Sequence, residues 1–187
     1  MTLKILWGIT GSGDKIEDTV NIMLKLNGEY DIDMRVAMSK NGEKVARMYE
    51  VWEPLKNVFE DVLVEKGPNV PFLVGGLQTG KYDLFIVCPA TANTTAKIAH
   101  GIADSLLSNC VSQALKANRK VYIYPVDQKP GNITTVLPDG KELILSIREV
   151  DLENSERLKR MRGITVISEP EDIEGIIKKH LTKLQAS

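Results

Sequence analysis

Short apolar runs alternate with longer stretches of helical spacing from one end of the chain to the other. Leu3–Ile9 reads as a buried strand ending in Thr10-Gly11-Ser12-Gly13, and residues 14–25 follow with Ile16, Val20, Met23 and Leu24 at helical spacing. Ile32–Met38 reads as a second strand, and residues 42–49 as a second helix with Val45, Met48 and Tyr49 on one side. Residues 51–80 break the rhythm. Three prolines (Pro54, Pro68, Pro71) and four glycines (Gly67, Gly75, Gly76, Gly80) predict a long irregular connection, which in a compact domain is usually functional or mobile. After Asp83, the run Leu84-Phe85-Ile86-Val87-Cys88 is apolar on both faces, as a central parallel strand is.

Beyond Pro89-Ala90-Thr91-Ala92-Asn93-Thr94 the pattern predicts a helix to about His100, a break at Gly101, a helix from about Asp104 to Ala117 and a strand at 121–124. Residues 132–150 depart from the alternation. Thr134-Thr135-Val136-Leu137 and Leu143-Ile144-Leu145-Ser146-Ile147 flank Pro138-Asp139-Gly140-Lys141, which reads as a hairpin excursion around a turn. A helix at 152–161, a strand at 164–167 and a last helix opened by Pro170 complete the chain. Strands alternating with helices predict an α/β fold, a parallel sheet with helices on both faces, and one domain over residues 1–187. Such sheets bind ligands at the carboxyl ends of their strands. Three loops are predicted there: 10–13, 39–40 and 89–94.

Composition narrows the chemistry. The 187 residues carry 24 Lys and Arg against 25 Asp and Glu, a net charge of −1, with 43% hydrophobic and 26% charged residues. That balance fits a globular protein and gives no basic face for nucleic acid. Cys88 and Cys110 are too few for a four-thiolate iron–sulfur cluster or structural zinc, and no metal is expected. They read as small buried hydrophobes of a reduced protein. The opening apolar run is too short for a signal peptide, and no stretch approaches about 18 unbroken apolar residues, so a cytoplasmic protein without a membrane span is expected.

Each of the three loops suits part of a nucleotide. Thr10-Gly11-Ser12-Gly13 offers backbone N–H groups at a helix start, where phosphate is favoured, but Ile16 stands where a dinucleotide motif needs its third glycine. The second strand ends in Ser39-Lys40 instead of the acidic residue that holds an NAD ribose. A hydroxyl and an ammonium there suit a terminal phosphate, so FMN fits better than NAD, although Ser39 equally suits the cap of the next helix. Thr91, Asn93 and Thr94 supply hydroxyl and amide groups matched to a flat heterocycle, with Ala90 and Ala92 keeping the backbone approachable.

The run Pro89-Ala90-Thr91-Ala92-Asn93-Thr94, continued by Gly101-Ile102-Ala103-Asp104, resembles the Pro-Ala-Ser-Ala-Asn-Thr motif of the homo-oligomeric flavin-containing cysteine decarboxylase superfamily. The resemblance implies a three-layer, Rossmann-like (flavodoxin-like) parallel sheet of about six strands, trimer-based assembly, and FMN near a subunit interface. Carried over by position, Gly11, Ser12, Gly13 and Ser39 hold the phosphate, with Thr10 beside them. Pro89, Ala90, Thr91, Ala92, Asn93 and Thr94 line the ribityl chain and ring, with Lys40 and Asp104 as neighbours. The decarboxylase branch also needs a histidine in the middle loop and a Pro-x-Met-Asn clamp. Here the histidines are His100 and His180 alone, both placed in predicted helices, and the clamp position reads Pro125-Val126-Asp127-Gln128.

The chain is more similar to the archaeoflavoprotein and dihydromethanopterin reductase branch. The similarity lies in Trp7-Gly8-Ile9-Thr10-Gly11, Pro71-Phe72-Leu73, Gly80-Lys81-Tyr82-Asp83, Leu137-Pro138-Asp139-Gly140-Lys141 and Leu158-Lys159-Arg160-Met161-Arg162-Gly163-Ile164. That likeness implies an FMN oxidoreductase passing electrons from a ferredoxin or reductase to a pterin, reducing dihydromethanopterin to tetrahydromethanopterin. Tyr49 and Trp52 are expected to stack on the pterin and Gln78 to hydrogen-bond it; no acid–base residue is assigned. The competing expectations are an electron carrier without a small-molecule substrate and, third, a flavin-dependent decarboxylase or prenyltransferase.

Overall fold

A computed structural model describes residues 2–186. The elements run β1 (Leu3–Ile9), α1 (Ile16–Glu29), β2 (Ile32–Met38), α2 (Lys40–Met48), α3 (Trp52–Val58), β3 (Val62–Val64), α4 (Pro71–Thr79) and β4 (Leu84–Ala90). They continue with α5 (Ala92–Ala99), α6 (Leu106–Lys116), β5 (Val121–Pro125), β6 (Asn132–Val136), β7 (Glu142–Ser146), α7 (Glu149–Arg160), β8 (Ile164–Val166) and α8 (Asp172–Gln185). Six strands form one parallel sheet in the order β3-β2-β1-β4-β5-β8. β6 and β7 pair separately as an antiparallel hairpin whose turn contains Gly140 at a φ of 82°. Among the described residues no helix is long and apolar enough to cross a membrane.

Residues of period two decide which helix packs where. In β1 and β4, Ile5, Trp7, Ile9, Leu84, Ile86 and Cys88 face one way, onto Ile16, Val20 and Met23 of α1, Leu55 of α3 and Ile173 and Ile177 of α8. Leu6, Phe85 and Val87 face the other way, onto Leu73 and Leu77 of α4, Leu107, Cys110 and Val111 of α6 and Leu158 of α7. Burying each such side chain stabilises by about 1.5–3 kcal/mol. The Trp7 indole N–H, buried with the rest, donates to the Cys88 carbonyl at 2.9 Å and ties the two central strands together.

The stretch expected to be irregular is structured. Pro54 falls in the first turn of α3 and Pro71 opens α4, positions where a missing N–H removes no intrahelical bond. Gly76, in mid-helix, lets α4 close on Tyr82: a Cβ there would lie 2.9 Å from the ring. β3, only three residues long, is the sixth strand, paired with β2 at the edge of the sheet. The first helix also differs, starting at Ile16 instead of residue 14 and preceded by Lys15 in the left-handed region at a φ of 62°.

The strand order reverses between β1 and β4: the chain builds outward through β2 and β3 on one side, then through β5 and β8 on the other. Connections leaving the carboxyl ends of β1 and β4 therefore part in opposite directions and open a crevice.

Candidate functional site

Thr10 and Thr91 stand on the two sides of that crevice and lock it. The Thr10 hydroxyl donates to the Pro89 carbonyl at 2.8 Å and accepts the Thr91 N–H at 2.8 Å, while the Thr10 N–H also donates to Pro89 at 3.1 Å. The Cys88–Pro89 peptide is cis. Beside this pair, the Ser39 N–H donates to the Ile9 carbonyl at 3.0 Å and brings the end of β2 alongside β1.

Three helices begin around the crevice. Ser39 caps α2 by accepting the Gly42 N–H at 2.9 Å, and Thr91 caps α5 by accepting the Thr94 N–H at 3.2 Å. Ser105 precedes α6, its N–H held by the Ser108 hydroxyl at 3.1 Å. The result is a cleft of about 430 Å³ lined by Thr10, Gly11, Ser39, Lys40, Asn41, Lys44, Glu65, Thr91, Asn93, Thr94, Lys97 and Ser105. Three ammonium groups and the starts of three helices give it a positive field that suits an anionic, phosphate-bearing ligand. Lys97 is shared with Asp104, which it meets at 2.8 Å. Among the described residues the single acidic one of the wall is Glu65. It accepts the Leu106 N–H at the start of α6 at 2.8 Å and the Lys40 N–H at the start of α2 at 3.4 Å.

Of the residues expected at a cofactor, Thr10, Gly11, Ser39, Lys40, Thr91, Asn93 and Thr94 line this cleft together. Pro89 and Ala90 lie beneath it, Pro89 through the carbonyl that Thr10 grips and Ala90 fully buried. Asp104 reaches the cleft only through Lys97. Ser12 and Gly13 turn away. The Ser12 hydroxyl is buried and donates to the Asp14 carbonyl at 3.0 Å, and Gly13 packs against the Tyr49 ring, so close that a Cβ would lie 2.5 Å from its hydroxyl oxygen. The Ala92 N–H, at the start of α5, serves the carboxyl of Asp127.

The three residues expected at a pterin are elsewhere. Tyr49 donates its hydroxyl to the Val136 carbonyl of the hairpin at 3.0 Å and lines a separate recess of about 180 Å³ with Gly13, Asp14 and Thr134. Trp52 is a core residue, 9% exposed and covered by the Arg47 guanidinium 4.4 Å from its ring centroid, because α3 turns that side chain onto α1. Gln78 lies at the end of α4, which leads into the start of β4. It is thus at the opposite edge of the sheet, bonded to Gln113 of α6 at 3.0 Å.

Sequence reasoning missed Asn41, Lys44, Glu65, Lys97 and Ser105. Lys44 and Lys97 were findable: each follows a predicted loop residue, Lys40 and Thr94, by four or three positions on the same helix. Glu65, in the stretch read as irregular, carried no signal.

On the far side of α5 the groups are acidic. Burial raises the Asp127 carboxyl above its usual range, with Asp151 and Asp14 adding repulsion and Arg148 opposing it. Asp14 is raised for the same leading reason. Arg148 clamps the buried Asp151 with two bonds of 2.8 and 2.7 Å. His100 bonds Asn154 at 3.0 Å through Nε2, and His180 sits in α8 against the Tyr122 ring; neither lines the cleft.

A doubly wound parallel sheet with an anion-suited cleft at its switch point defines a nucleotide-binding α/β protein of mononucleotide type. Within that class the chain belongs to the Flavoprotein family, whose model matches residues 1–185. It is 56% identical over 179 residues, 96% of each chain, to an uncharacterized protein of Methanocaldococcus jannaschii. It is also 29% identical to a dihydromethanopterin reductase (acceptor) of that organism, over 92% of this chain and 95% of the other. That alignment spans 233 positions, more than the 187 residues here, so the reductase carries inserted segments that this chain lacks. Among solved structures it resembles Burkholderia xenovorans DmrB, a cubic protein cage for redox transfer in complex with FMN. The TM-score is 0.80, with 27% identity over 98% of this chain and 97% of that one.

Proposed function

We propose that the protein is an FMN-dependent oxidoreductase that takes electrons from a separate reduced protein, a ferredoxin or reductase, and passes them to a pterin, with dihydromethanopterin as the acceptor. The observation that carries this reading is the cleft itself: a phosphate-suited wall of lysines and helix starts beside the amide and hydroxyls of Asn93, Thr94 and Thr91. Family membership, and the likeness to a dihydromethanopterin reductase and to an FMN-bound redox cage, support the same reading. The cage assembly of that neighbour supports a homo-oligomer; we also propose that it is built from trimers and works in the cytoplasm.

The residues present fit FMN. Ser39, Lys40 and Lys44 would hold the phosphate, Thr91 the ribityl chain, and Asn93 with Thr94 the ring, whose heteroatoms match one amide and one hydroxyl. When bound, FMN supplies the redox chemistry through its ring, and the protein supplies orientation and electrostatics. Thr10 keeps the two walls at a fixed separation by joining both loops through one hydroxyl. Lys97, paired with Asp104, holds its charge at the cleft wall. The chain's two cysteines are free and buried, so it cannot itself ligate a four-thiolate cluster, which supports a separate donor.

The test is anaerobic: the FMN-loaded protein is reduced, mixed with dihydromethanopterin and followed by flavin absorbance. Reoxidation with formation of tetrahydromethanopterin is the expected result. A reduced flavin that ignores the pterin but reoxidises against a protein acceptor would overturn the substrate and leave an electron carrier.

A further inference from the structure

The phosphate-suited wall already holds an anion of the protein's own. Glu65, immediately after β3, places one carboxylate oxygen 2.8 Å from the first N–H of α6 and the other 3.4 Å from the first N–H of α2. It does so inside the cleft that Lys40, Lys44 and Lys97 line. A carboxylate bridging two helix starts beside ammonium groups takes up the donors an incoming phosphate would seek. One of its two bonds, at 3.4 Å, is longer than an ordinary N–H···O bond, so it is loosely held on the α2 side. The Glu65 N–H donates to the Met38 carbonyl at 2.8 Å, which anchors the backbone independently of the carboxylate's bonds.

We propose that Glu65 is a displaceable internal anion: its carboxylate occupies the phosphate subsite of the cleft and swings out when a phosphorylated ligand takes the same N–H groups. This rests on the FMN reading given above. Glu65 then acts as a specificity residue. It penalises any ligand whose phosphate does not fully replace its bonds to α2 and α6, and it adds nothing against a ligand without phosphate.

The experiment compares wild type with Glu65→Gln, which keeps an acceptor oxygen and the side-chain shape while removing the charge. FMN and riboflavin are each titrated by quenching of flavin fluorescence, and inorganic phosphate is titrated by thermal shift. Removing a like charge from within a few ångströms of the phosphate is expected to tighten FMN binding by about tenfold or more. Riboflavin binding should stay within about twofold, and the variant should gain more thermal stability from inorganic phosphate than wild type does. Unchanged or weaker FMN binding in the variant would overturn the proposal, because Glu65 would then be a helix cap and no competitor. An equal change for FMN and riboflavin would also overturn it, by placing Glu65 at the ring. If neither protein binds FMN, the flavin reading fails, and the phosphate arm still decides whether Glu65 guards an anion site.

Discussion

Gly11 couples the fold to the cleft, and replacing it with alanine separates the two contributions. Its φ is not in the left-handed region, so alanine is acceptable to the backbone there and only space decides the outcome. A Cβ on Gly11 would lie 2.7 Å from Asn41 Cβ, 2.9 Å from the Asn41 carbonyl carbon and 3.1 Å from its oxygen. Carbon contacts relax to about 3.5–4.0 Å, so the shortfall is roughly 1 Å. Two of the three obstructing atoms are backbone in the first turn of α2, and no rotamer change removes them. That turn is pinned by Ser39, through its N–H to Ile9 and its hydroxyl to Gly42. Moving it strains both bonds and carries Lys40 away from the cleft wall. Gly11→Ala is therefore expected to destabilise by about 1–3 kcal/mol, as overpacking does, lowering the melting temperature by about 2–4 °C for each kcal/mol. FMN binding should weaken by about tenfold, equivalent to roughly 1.4 kcal/mol. Urea unfolding and fluorescence titration measure the two effects. Gly75→Ala is the control: nothing lies within 4 Å of its Cβ position in α4, and it should stabilise by about 0.5–1 kcal/mol. A Gly11→Ala protein that unfolds with wild type and binds FMN equally well would refute the reasoning.

Trp52→Ala should lose about 3–5 kcal/mol in urea unfolding while the folded fraction keeps its affinity for flavin and pterin, because the ring is core and not cleft. Asp127→Asn tests a pH dependence. Burial raises the folded carboxyl above its ordinary 3.8, so the native state binds its proton more tightly than the unfolded chain does. Wild-type stability therefore falls as pH rises from the unfolded value through the folded one. The variant, still able to accept the Ala92 N–H, should be more stable than wild type at pH 7 and lose that advantage near pH 3; an advantage independent of pH would contradict it. Cys88 and Cys110 are buried with thiols pushed up to about 12, so iodoacetamide at pH 8 should leave the native protein unmodified and label both after unfolding, as mass spectrometry would show.

What the sequence made legible follows from how each signal is written. β1, β2, β4, β5 and β8 are apolar runs bounded by turns, and their buried faces appear in the residues themselves. β3 is as short as β8 but half-buried throughout and set in a stretch punctuated by prolines and glycines, so nothing around it frames it as a strand. α3 and α4 hid behind prolines that a chain reader takes as breakers and that the helices use in their first turns. The loops at the carboxyl edge were legible because glycine, serine and threonine at strand ends have local meanings. Glu65 has none, being an ordinary surface residue until strand order brings α2, α5 and α6 to one point, while Lys44 and Lys97 carry only their helical spacing from Lys40 and Thr94. Trp52 and Gln78 lie away from the cleft for the complementary reason. Nearness in sequence to a functional loop does not fix which end of the sheet, or which side of a helix, a residue reaches.

The central claim is that the cleft between β1 and β4 holds a phosphorylated flavin, and equilibrium titration of FMN into the purified protein tests it most directly. Saturable quenching of flavin fluorescence at one FMN per chain, weakened by replacing Lys44 with alanine and competed by inorganic phosphate, is the expected result. Absence of saturable binding, or binding indifferent to both Lys44 and phosphate, would contradict the account.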